Sequence, residues 1–196
     1  MKKISLLVPV FLVLFLLISC KQKKKEKSAK ERFFPVLSFI KSQVAHVDTS
    51  LFSIRKVIYV DSTKTDTTYY RREQFSSLAT DFLNLPDIAD PKYADRFKEE
   101  KLFDETLNKV IITYQPISPE KEEIQREEVL IHPDPSGDKI TSIIIDYFIN
   151  NKDSSVQKRM LWQVDRSFQV NTARQLQGQP EINSTYKVIW NEEDDE

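Results

Sequence analysis

The chain has 196 residues, with 29 basic and 30 acidic side chains, two glycines, two histidines and one cysteine. With only Gly137 and Gly178, it contains neither a GxGxxG fingerprint nor a P-loop. His46, His132 and the lone cysteine likewise exclude HExxH, CxxC and Cys/His zinc patterns, so no cofactor, metal or catalytic residue is assigned from motif.

The first segment is the most informative. Lys2 and Lys3 make a short positive region, Ile4 to Ile18 is an uncharged apolar run, and Ser19 and Cys20 follow. The run is shorter than the ~20 residues that a bilayer-spanning helix needs. Pro9 also interrupts it.

Leu17-Ile18-Ser19-Cys20 resembles the lipobox of bacterial lipoprotein precursors. The resemblance implies that residues 1–19 are a signal peptide removed before Cys20. It also implies that the Cys20 thiol takes a diacylglycerol and that the new amino group is acylated. The expected partner is then a membrane, reached through lipid on Cys20. Several acyl chains hold far longer than one, which binds only reversibly. Since Cys20 is the sole cysteine, the remaining chain has no disulfide and depends on its core.

Residues 20–32 follow as a tether. Lys21 to Arg32 carries seven Lys or Arg and two Glu and is nearly free of apolar side chains, a composition that favours a solvated segment. Twelve extended residues reach ~40 Å. A second reading is contact with anionic headgroups beside the anchor. Nucleic acid is not an expected partner for an exported chain. No acidic residue follows Cys20 immediately. By analogy with lipoprotein sorting, this gives the periplasmic face of the outer membrane as the expected location, with surface display as the alternative.

Residues 33–196 read as one domain ending in the acidic run Glu192 to Glu196, and they carry a net charge of about −8. Such a balance disfavours polyanions. Leu37, Ile40, Val44 and Val47 recur at helical spacing and predict a helix from Pro35 to Val47. Ile54–Val60 predicts a strand, and Asp61 to Asp66 a polar turn. A second helix is expected over Tyr69–Leu83, with Phe75, Leu78 and Phe82 on one face and Asp66, Thr67 or Thr68 as its cap. Asp90-Pro91 predicts the cap and first position of a short third helix.

The period then changes. Strands are expected at Val110–Gln115, Glu127–His132, Ile140–Ile149, Val156–Val164, Phe168–Thr172 and Tyr186–Trp190, joined by short polar turns. The expected class is α+β: N-terminal helices packed on an antiparallel meander of about five to six strands. The segments Phe82–Ile88 and Leu161–Val170 resemble a group of uncharacterised small bacterial lipoproteins, a resemblance that implies no activity and no catalytic residue.

The remaining candidates read as structure, with the runs Glu120-Lys121-Glu122-Glu123 and Glu127-Glu128 as solvated faces. His46 falls at a helix end, where a cation suits the dipole. His132 precedes Pro133 at a strand end. Asp134, Ser136 and Asp138 alternate like a calcium loop but lack its glycine and closing glutamate, so a hairpin turn is expected. Tyr69, Tyr70, Tyr147, Phe148, Trp162 and Trp190 fill a core or line an apolar groove. The expected function is a membrane-anchored envelope lipoprotein: a non-enzymatic binding or accessory module for an envelope protein or a small apolar ligand. The alternative is an envelope hydrolase with an unrecognised site.

Overall fold

The structure, a computed structural model, describes residues 33–47, 53–61 and 63–191. The leader, Cys20, the basic tether and the acidic C-terminal run lie outside the described residues.

A single sheet dominates. Its nine strands are β1 (Ile54–Tyr59), β2 (Thr65–Tyr70), β3 (Phe97–Asp104), β4 (Lys109–Pro116), β5 (Ile124–His132), β6 (Lys139–Asn150), β7 (Ser154–Gln163), β8 (Ser167–Leu176) and β9 (Ile182–Ile189). Every neighbouring pair is antiparallel, in the order β2-β1-β9-β8-β7-β6-β5-β4-β3. From β3 to β9 the chain is a continuous meander, and the N-terminal hairpin β1–β2 attaches to β9.

This corrects the expected α+β arrangement. Half of the described residues are strand, the sheet has nine strands rather than five or six, and helix is a minor component. Among the described residues the one helix longer than a single turn is α1, Val36–Val47. Val36, Ile40, Val44 and Val47 form its buried stripe. The expected helix over Tyr69–Leu83 is mostly something else. Tyr69 and Tyr70 end β2, and only the one-turn helices α2 (Phe75–Leu78) and α3 (Thr80–Leu83) remain, kinked at Ala79. The third short helix is a single 3-10 turn, Pro91–Tyr93, capped by the Asp90 side chain, which accepts the Lys92 N–H.

The registers show which side chains share a face. Glu99, Tyr114, Glu127, Ile145, Met160, Val170 and Tyr186 stand opposite one another strand by strand. The adjacent row on that face is Val129, Ile143, Trp162, Phe168 and Val188, all buried. The opposite face carries Thr113, Glu128, Ile144, Leu161, Gln169 and Lys187, all half-exposed. One face is therefore packed and the other faces outward, as antiparallel sheets permit.

The cover over the packed face comes from the connection between β2 and β3. These are the two outermost strands, so residues 71–96 must run from one edge to the other. On the way they place Phe75 and Phe82 on the stacked pair Trp162–Phe168, whose rings lie 5.3 Å apart at 12°. Phe82 meets Trp162 edge-on at 5.2 Å, and Phe75 meets Trp190 at 4.9 Å. Helix α1 is tied to the β7–β8 turn, where the Asp165 N–H donates to Gln43 Oε1 at 3.2 Å.

Candidate functional site

At the β3 side of the packed face the cover leaves a cleft of about 740 Å³. Three parts of the chain build it. Phe33, Phe34 and Pro35 lead into α1, Asp87 to Pro91 belong to the crossing connection, and Glu99, Lys101, Ile112 and Tyr114 project from β3 and β4. The volume lies within the ~300–1,000 Å³ usual for small-ligand sites, and apolar walls with a few polar groups are their usual make-up.

Tyr114 organises the site. It is buried, it packs against Phe33 at a ring distance of 5.0 Å, and its hydroxyl accepts the Phe34 N–H at 3.0 Å. Burial raises its pKa; the Phe34 N–H acts against that rise, while the nearby carboxylates of Glu99 and Glu127 reinforce it. Glu99 lies opposite Tyr114 on β3 and holds Lys101 Nζ at 2.9 Å.

Glu127 is the unusual member. It stands opposite Tyr114 on β5, only 2% exposed, and its Oε1 has no hydrogen-bond partner. Burial, reinforced by the charge of Asp87, pushes its carboxyl up to about 8. At neutral pH it is therefore a neutral acid, because a buried unpaired carboxylate is strongly disfavoured. Asp87 accepts the Ala89 N–H through Oδ1 at 3.0 Å.

A smaller hollow of about 490 Å³ lies between the Pro119–Gln125 segment and the end of β6, lined largely by Glu120, Lys121, Glu122 and Glu123. Phe148 is its one aromatic among the described residues, against three in the larger cleft, and it is the weaker candidate.

The residues singled out by sequence pattern are dispersed. His46 is exposed in the last turn of α1, and His132 ends β5 opposite Lys139. Neither lines the cleft, whose lining among the described residues holds no His, Ser, Thr or Cys. Asp134 forms a turn: its Oδ1 accepts the Ser136 N–H and hydroxyl, and Lys139 Nζ reaches Oδ2 at 3.0 Å. Trp162 and Trp190 are core, whereas Tyr69 is 68% exposed on the β2 edge; these aromatics share no groove. Cys20 lies outside the described residues.

Sequence pattern does not single out Phe33, Phe34, Asp87, Glu99 or Tyr114, and its reading of Glu127-Glu128 as a solvated face is corrected by the burial of Glu127. One signal is nonetheless present. In the alternation of β5, Glu127 occupies an inward position beside Val129, and an acid at a core position marks a site.

No protein-family model, no curated protein and no solved structure matches the chain. The functional reading therefore rests on the leader and on the cleft.

Proposed function

We propose that the chain is a lipid-anchored lipoprotein of the bacterial cell envelope, attached through Cys20, and that its β-rich domain is a non-enzymatic binding module. The leader supports the address: Lys2 and Lys3, a short apolar run, and Leu17-Ile18-Ser19 before the only cysteine. The periplasmic face of the outer membrane is the proposed location.

The observation that carries the binding role is the cleft: about 740 Å³, with an aromatic wall at Phe33, Phe34 and Tyr114 and the carboxylates of Asp87, Asp90 and Glu99 in its lining. Aromatic rings with a few carboxylates are the make-up of a ligand-binding cleft, which is why binding is preferred to hydrolysis as the reading.

Two measurements test the two parts. Wild-type chain fractionates with membranes and is cut before Cys20, while Cys20→Ala stays uncut and loses acylation. An acylated or processed Cys20→Ala product refutes the anchor. For the module, native mass spectrometry of the detergent-extracted chain shows a small co-purifying mass that Ala89→Trp removes by filling the cleft. Retention of that mass by a folded Ala89→Trp variant, judged by circular dichroism, refutes the cleft as the site.

A further inference from the structure

We propose that the cleft binds an organic cation, an ammonium group carried on an apolar body. This rests on the reading of the cleft as a binding site and adds the chemistry of its ligand.

The first observation is the balance of charge. Among the described residues the lining holds three carboxylates, Asp87, Asp90 and Glu99, against one ammonium, Lys101, which Glu99 holds at 2.9 Å. Asp90 is engaged by Lys92, whose Nζ lies 3.6 Å from Oδ2. Asp87 differs: Oδ1 accepts the Ala89 N–H, and Oδ2 has no hydrogen bond or ion pair among the described residues. It is the carboxylate left to meet a ligand.

The second observation is the wall. Phe33, Phe34 and Tyr114 line the same cleft, and the negative face of an aromatic ring attracts ammonium groups within ~6 Å of its centre. Rings and a carboxylate together are what a desolvated ammonium requires.

The third observation is Glu127. It does not line the cleft, but it stands opposite Tyr114 in the sheet, its buried Oε1 has no hydrogen-bond partner, and its carboxyl senses the charge of Asp87. Because burial holds Glu127 neutral, it supplies no counter-charge of its own, and Asp87 remains the carboxylate that a cation meets.

Other ligand classes fit worse. An anion meets Asp87, Asp90 and Glu99 as like charges. A neutral apolar ligand strips water from Asp87 and returns no hydrogen bond, and leaving a buried polar group unpaired costs about 1–3 kcal/mol.

The test uses the full-length acylated chain in a non-ionic detergent, titrated calorimetrically with three molecules of similar shape: phenethylamine, 2-phenylethanol and phenylacetate. Empty micelles are the blank. The cation binds about tenfold or more tighter than the alcohol, the margin expected of a charge-assisted hydrogen bond, and phenylacetate binds weakest. Asp87→Asn removes the preference for the amine over the alcohol. Ala89→Trp abolishes binding of the amine.

Equal affinity for amine and alcohol, a preference for phenylacetate, or an amine preference that survives Asp87→Asn overturns the cation assignment while the binding module stands. Failure of all three probes, together with no co-purifying ligand lost in Ala89→Trp, overturns both. Folding of each variant is checked by its thermal transition.

Discussion

Tyr186 on β9 donates its hydroxyl to Asp81 Oδ2 at 2.8 Å, joining residues 105 positions apart. The other oxygen, Oδ1, receives Lys158 Nζ from β7 at 2.6 Å. One carboxylate on α3 thus clamps the crossing connection to two strands of the sheet. Burial raises the Asp81 pKa, but hydrogen bonds from Lys158 and Tyr186 and the charges of Lys158 and Lys56 outweigh it, so the pKa lies below the usual carboxylate value.

The sign of the pH effect follows. A depressed folded-state pKa contributes stability above the unfolded value, and that contribution is lost as pH falls through the folded pKa. Asp81→Ala lowers the free energy of unfolding by about 1–3 kcal/mol at pH 7, since it leaves a half-buried ammonium and a phenol unpaired. The deficit narrows below pH 4. Urea unfolding of wild type and variant from pH 3 to 7 measures it; a deficit independent of pH contradicts the clamp.

Glu127 acts in the other direction. Its folded pKa of about 8 lies above the unfolded value, so its contribution is complete below the unfolded pKa and is lost as pH rises through 8. Glu127→Gln, which keeps the shape and removes the ionisation, therefore flattens the alkaline decline in stability. The variant is the more stable protein at pH 9, and its advantage disappears near pH 5. Thermal unfolding across that range decides it. A wild-type curve flat between pH 6 and 9 counts against a protonated Glu127.

The aromatic cluster carries more stability than the Asp81 clamp. Phe82→Ala removes a fully buried ring that meets both Trp162 and Phe168 edge-on and costs about 3–5 kcal/mol. Trp162→Phe costs less, because it also removes a buried indole N–H that has no partner. Equilibrium denaturation ranks the two; the reverse order shows that the indole nitrogen is not a liability.

On the outward face, Arg126 bridges Asp146 at 2.9 Å and Glu128 at 3.1 Å. Solvent-accessible networks of this kind contribute little, so Arg126→Ala costs about 1 kcal/mol or less, and the loss shrinks in high salt. A larger, salt-independent loss indicates that this face is covered in the working protein.

How much of this is legible in the sequence depends on burial. Helix α1 and the strands β1 and β4–β9 are readable because each alternates or repeats apolar side chains against the packed face. The two strands that escape are β2 and β3, the two sheet edges. Thr65–Tyr70 is exposed at all but Tyr70, and in Phe97–Asp104 only Phe97 is buried. With little of either strand buried, no alternation is imposed, and charged residues such as Lys98, Glu99 and Glu100 are the usual way to protect an edge. Thr67 and Thr68 resemble a helix cap for the same reason. The cleft is illegible because its parts converge only through the crossing connection. Phe33, Asp87, Glu99 and Tyr114 have no spacing in common.

The pairing of β1 with β9, Arg55 opposite Ile189, joins the start of the described domain to its end. Until the last strand is available, the hairpin β1–β2 has no neighbour, and the connection that must cover the face has no completed face to cover. The native strand order therefore cannot be reached while the chain is still emerging, and closure of so long a loop makes its assembly slow. The hairpin β1–β2, first in the chain, is the last to gain its neighbour in the sheet.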